Sequence, residues 1–137
     1  MGEKRMTRLA IASLALVMAA ATSSAQADLI PKLGPRIDYP SLASLLSSED
    51  ARALLIDVRT AEEYAEGHIP GAILIPYDEI GARFSEPDKA RPIVVYCHSG
   101  RRSAIAASTL KDMGYANVSD FGAVSDWQGD LRKGNEP

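Results

Sequence analysis

The chain of 137 residues is predicted to fold as an α/β domain, with a mainly parallel central sheet flanked by helices on both faces. Unbroken apolar runs recur at Ala53–Ile56, Ala72–Ile75 and Ile93–Tyr96, the pattern of strands covered on both faces. Between them lie stretches with helical spacing and helix-start signals. Turns containing Gly and Pro separate the two kinds of segment.

The elements follow in order. Lys4, Arg5 and Arg8 precede an uncharged run, Leu9–Ala21, and then Ala25-Gln26-Ala27. Basic start, short apolar core and Ala-x-Ala end describe a secretory signal peptide over residues 1–27. Cleavage after Ala27 would start the mature protein at Asp28 and place it in the periplasm or outside the cell. The apolar run falls short of the ~20 residues of a membrane helix, so no stable membrane anchor is expected. Residues 28–40 hold three prolines and Gly34 and read as an extended lead-in. Ser41–Ser47 reads as a short helix with Leu42, Leu45 and Leu46 on one face. Thr60-Ala61-Glu62-Glu63 is a capping box that starts a helix running to about Glu66. Gly67-His68-Ile69-Pro70-Gly71 is a turn, and Pro76 stops the second strand. Tyr77–Phe84 is expected to be helical. The helix after the third strand should end before Gly114. Asn117-Val118-Ser119 reads as a short strand, Ala123–Arg132 as a final helix burying Trp127, and residues 133–137 as a polar tail.

Removing the leader's three basic residues and Glu3 leaves 110 residues with 12 basic and 17 acidic side chains, a formal charge of −5. That balance gives no reason to expect nucleic acid or an anionic membrane as partner. One cysteine and two histidines do not make a metal site. No cofactor fingerprint is present.

Cys97 is the only cysteine, and it cannot pair within its own chain. It follows the third apolar run and opens Cys97-His98-Ser99-Gly100-Arg101-Arg102-Ser103, after which a helical stretch begins. A strand, a short loop with Gly and a helix start bring main-chain N–H groups together. Such a concavity favours thiolate over thiol and attracts anions. Gly100 permits the tight curl, and Arg101 and Arg102 add positive charge toward an anionic substrate.

Leu55-Ile56-Asp57-Val58-Arg59, Glu63-Tyr64, Gly67-His68-Ile69-Pro70-Gly71-Ala72 and Cys97-x-x-Gly100-x-Arg102-Ser103, in this order, resemble a single-domain rhodanese. The resemblance runs from about Ser41 to Arg132. It implies the rhodanese-like fold and a sulfurtransferase working through a persulfide on Cys97. The sulfur would come from thiosulfate or a related anionic donor and pass to cyanide or a thiol, a protein thiol included. The resemblance also implies that His98, Ser99, Gly100, Arg101, Arg102 and Ser103 surround the transferred sulfur, with Asp57 and Arg59 in support. Ala123 stands where many relatives carry a second glycine, which leaves open the backbone path of the Gly122-Ala123 turn.

Other readings compete. A cysteine phosphatase needs an arginine six positions after the cysteine; that position is Ser103, and Arg102 comes one residue earlier. Arsenate reduction has no positive support. A non-catalytic sulfur carrier or partner-binding module remains open. His98 reads as a residue of the loop or substrate rim, His68 as structural, and Glu62, Glu63 and Glu66 as a solvated helix face.

Overall fold

A computed structural model describes residues 30–137. The proposed leader and the Asp28 start lie outside the described residues. The sheet has four strands, β1 (Leu54–Asp57), β2 (Ile73–Leu74), β3 (Ile93–Cys97) and β4 (Val118–Ala123). All are parallel, in the order β2-β1-β3-β4. Among the described residues, four helices, α1 (Tyr39–Ser47), α2 (Ala61–Glu66), α3 (Ile80–Arg83) and α4 (Arg101–Asp112), cover its two faces.

Side-chain alternation along the central strands builds two cores. Ile93, Val95 and Cys97 of β3, with Ile56 of β1, pack with Ile80 of α3 and Ala106, Ala107 and Leu110 of α4. Val94 and Tyr96, with Leu55, pack on the other face with Leu42 and Leu45 of α1 and Tyr64 of α2. The apolar runs are unbroken because each face needs its own set of side chains.

Strand order then positions the site. The chain leaves β1 outward to β2, returns across the sheet to β3 and continues outward to β4. The switch point falls between β1 and β3, where open α/β sheets form a crevice beyond the strands' carboxyl ends. Asp57 ends β1 and Cys97 ends β3.

Several boundaries differ from expectation. Helix α1 begins at Tyr39, two residues early, because the Asp38 carboxylate accepts the Ser41 N–H and Pro40 is tolerated in the first turn. Strand β2 is a two-residue, half-buried edge strand instead of a buried run. Only Ile80–Arg83 of the Tyr77–Phe84 stretch is helical, preceded by turns. Strand β4 is six residues long and absorbs the segment up to Ala123.

The expected helix over Ala123–Arg132 does not form. A 3-10 turn, Val124–Asp126, is followed by irregular chain. Trp127 is only half buried, edge-on to Tyr39 at 5.1 Å. Gly129 disfavours a helix within this run, and Arg132 instead forms an antiparallel bridge with His68.

The turn after β4 follows from a bulge. Val95 aligns with Asp120 and Tyr96 with Gly122, so Phe121 is the extra residue. Gly122 takes φ +91, while Ala123 has φ −89. One glycine therefore suffices for this path, and alanine at 123 is unstrained.

Candidate active site

Cys97 is the last residue of β3, not the first of the loop, and none of its surface is exposed. The loop His98–Gly100 closes over it and leads into α4. His98 and Ser99 lie exposed at the rim. Gly100 adopts φ +96, a left-handed conformation that suits glycine, and turns its N–H back to Cys97 Sγ at 2.9 Å.

Gly100 is also the N-cap of α4 and has no side chain to satisfy the helix's first amides. The N–H groups of Ser99, Gly100 and Ser103 and the Ser103 hydroxyl all act on Sγ. The fully buried Ser103 hydroxyl accepts from the Cys97 thiol at 3.4 Å and donates to the Gly100 carbonyl at 3.1 Å; when the thiol ionises, its single proton can turn to the sulfur. Burial pushes the thiol up; the Ser103 hydroxyl and the three amides outweigh it and hold Cys97 below the ordinary thiol range.

The two loop arginines stand differently from the sequence reading, which gave both the task of attracting an anion. Arg102 is engaged by Glu63 of α2, with Nη2 2.9 Å from the carboxylate. Arg101 is exposed at the first turn of α4. The groups that lower the thiol are the Ser103 hydroxyl and main-chain amides.

Asp57 and Arg59 form a buried bidentate pair, Arg59 Nη2 to Asp57 Oδ2 at 2.6 Å and Nε to Oδ1 at 2.9 Å. Arg59 also donates to the Gly67 carbonyl at 2.7 Å. Burial opposes the charge on Arg59, and Asp57 more than offsets it, so the guanidinium is held above its ordinary range. The pair braces the Gly67–Gly71 turn. The Tyr96 hydroxyl accepts the Ile69 N–H of that turn at 3.0 Å. Burial first, and then the Asp57 carboxylate, push Tyr96 far above the ordinary phenol range. His68 stacks on Tyr64 at 3.7 Å, fully buried.

Two contributors were missed. Glu63 was read as a capping residue on a solvated face, and its hold on Arg102 spans 39 residues, with no local signal to announce it. Tyr96 has no signal in the sequence beyond its place at the end of the third apolar run.

The sequence profile described as the Rhodanese-like domain matches residues 39–130. The chain belongs to this family. Within it, the chain is 42% identical over 73 residues to the thiosulfate sulfurtransferase PspE of Escherichia coli, covering 52% of this chain and 70% of that protein. It is 38% identical over 96 residues to the putative sulfur carrier protein YrkF of Bacillus subtilis. That match covers 69% of this chain and 51% of the relative, so the chain spans about half of YrkF's length. The solved structure of the human single-domain sulfurtransferase TSTD1 superposes with a TM-score of 0.63 at 31% identity, covering 69% of this chain and 96% of that one. The expected single-domain rhodanese fold is the one observed.

Proposed function

We propose that this rhodanese is a sulfurtransferase that accepts sulfane sulfur on Cys97 and passes it to a thiophilic acceptor. One observation carries the reading: a fully buried sulfur that accepts the Gly100 N–H at 2.9 Å, with the Ser103 oxygen 3.4 Å away. Such preorganised donors stabilise an anion without reorganising during reaction. With thiosulfate as donor, the Cys97 thiolate attacks the outer sulfur. The Cys97 S–S bond forms, the sulfur–sulfonate bond breaks, and sulfite leaves with the bonding electron pair. An acceptor such as cyanide or a thiolate then bonds to the outer sulfur, and the electron pair of the Cys97 S–S bond returns to Sγ. Charge balances in both steps, with no external oxidant or reductant. Ping-pong kinetics follow.

The loop residues His98, Ser99, Gly100, Arg101, Arg102 and Ser103 take the role of surrounding the transferred sulfur. The exposed His98 and Ser99 form the rim at which a small donor approaches. Asp57 and Arg59 act at one remove, by holding the Gly67–Gly71 turn. The loop is one residue too short for the cysteine phosphatase spacing, which favours a sulfur atom over a phosphate group. We also propose export, with a mature N-terminus at Asp28, checked by the mass of the exported protein.

Intact mass after incubation with thiosulfate tests the chemistry. The expected result is a gain of one sulfur atom on Cys97, removed by cyanide. A protein that stays unmodified refutes the reading. The sulfur-carrier reading, favoured by the likeness to YrkF, predicts the same loading but turnover only with a protein thiol.

A further inference from the structure

Residues 131–137 lie beyond the family-matched segment, and every one of them is exposed. They are nevertheless strapped across the turn that follows α2. The main chains of His68 and Arg132 bond in both directions, His68 N to Arg132 O at 2.9 Å and Arg132 N to His68 O at 2.8 Å. The Gly134 N–H donates to the Ala65 carbonyl at 2.9 Å. Beneath this strap the His68 ring is fully buried and stacked on Tyr64.

The ring also holds the strap directly. Its Nδ1 lies 2.8 Å from the Tyr64 carbonyl oxygen, and its Nε2 lies 2.7 Å from the Glu136 carbonyl oxygen. Both partners are main-chain acceptors with no proton to give. A neutral imidazole has one N–H, so it bonds one of them and turns a lone pair on the other. The doubly protonated ring donates to both. The Tyr64 carbonyl belongs to the last turn of α2, where partial negative charge favours a cation.

The charged and titratable groups on the elements around the ring are engaged elsewhere or exposed. Asp57 is paired with Arg59, which reaches the turn through the Gly67 carbonyl. Glu63 of α2 is paired with Arg102. The Arg132 guanidinium donates to the Pro137 oxygen at 2.6 Å. Glu62 and Glu66 of α2, and Lys133 and Glu136 of the strap, are exposed. Tyr64 and Tyr96 are both pushed above the ordinary phenol range, by burial first and then by the Asp57 carboxylate.

We propose that His68 is a proton-operated latch: the doubly protonated ring holds the strap at Glu136 over the Gly67–Gly71 turn, and loss of one proton releases it. The latched form carries one proton more than the released form with a neutral ring, so rising pH favours release. The strap is built to respond. Its side chains are exposed, so each main-chain bond is a large share of what holds it.

Two NMR readouts on the full chain test the latch. Heteronuclear NOEs of Asn135 and Glu136 follow strap order, and long-range 1H–15N correlations give the protonation of each His68 ring nitrogen, with the exposed His98 as a free-ring reference. Both His68 nitrogens should be protonated wherever the strap is ordered. Once the ring titrates, the ratio of latched to released strap should fall about tenfold per pH unit. His68→Gln, with no proton to lose, should show strap order independent of pH. Gly134→Pro can keep neither φ +97 nor the bond to Ala65, and should free Asn135 and Glu136 at every pH; the position is exposed, so the fold should survive. A singly protonated His68 beneath an ordered strap would overturn the latch. So would strap order that ignores pH in the unaltered protein, or the same pH dependence in His68→Gln. If His68→Gln does not fold, the ring spectra of the unaltered protein decide alone.

Discussion

Arg102 and Glu63 meet at 2.9 Å, so the carboxylate that closes the capping box of α2 also fixes the second residue of α4. Glu63 is held below the ordinary carboxylate range: burial pushes it up, while the Arg102 guanidinium and the Thr60 N–H together pull it further down. The cysteine loop is thereby tied to the helix that follows β1. A double-mutant cycle of Glu63→Gln and Arg102→Ala should show a coupling of about 0.5–1 kcal/mol in stability, because both side chains are partly exposed. Arg102→Ala should lower kcat/KM for thiosulfate by a larger factor than it lowers the folding equilibrium. Equal losses in the two would show that Arg102 only holds the fold.

Ser103→Ala removes the hydroxyl that helps hold the thiol down. A depressed Cys97 means that thiolate accumulates, and the donor step accelerates, as pH rises through a midpoint below that of a free cysteine. In Ser103→Ala that midpoint should move up toward the free value, read by thiolate absorbance against pH. The linked stability works in the same direction. It is present above the unfolded thiol's titration range, lost as pH falls through the folded one, and smaller in the variant. An unmoved midpoint would assign the effect to the amides alone.

Cys97→Ser should abolish cyanolysis and sulfur loading with little change in Tm, since serine retains a hydrogen-bond acceptor for the Gly100 N–H. Loading that persists in this variant would place the sulfur elsewhere.

Asp57→Ala leaves the Arg59 guanidinium buried without its partner. The two side chains are 0% and 6% exposed, so the loss should be about 3–5 kcal/mol in chemical denaturation. Such a loss would mark this pair as structural support for the turn; near-wild-type stability would contradict that role.

Gly122→Ala should cost about 1–2 kcal/mol, because φ +91 puts a Cβ in conflict with the backbone and 3.1 Å from Arg36 Nη2. Ala123→Gly, at φ −89, should bring no gain. Equal effects at the two positions would contradict the bulge.

Signals carried by near neighbours were legible from the residue string. The Thr60–Glu63 box caps α2 as expected, and Gly114 follows α4 in the positive-φ conformation that suits a helix end. The three apolar runs became the three strands around the switch point. The loop between a strand and a helix turns the Gly100 N–H onto the sulfur three residues earlier because glycine takes the left-handed φ that the curl requires. In each case donor and acceptor lie within a few residues, so composition and spacing alone specify the bond.

Other features depend on which strands become neighbours. Glu63 finds Arg102 because β1 and β3 lie side by side and bring the starts of α2 and α4 to one edge. The lead-in bridges Asp120, and Arg36 reaches Gly122, because β4 lies at the sheet's outer edge with its main chain open to pairing. The same parallel pairing draws out β4 and, with the glycines beyond it, replaces the expected last helix. Residues 39 or 84 positions apart share no local pattern; their contacts exist only once hydrophobic burial on both faces has set the strand order.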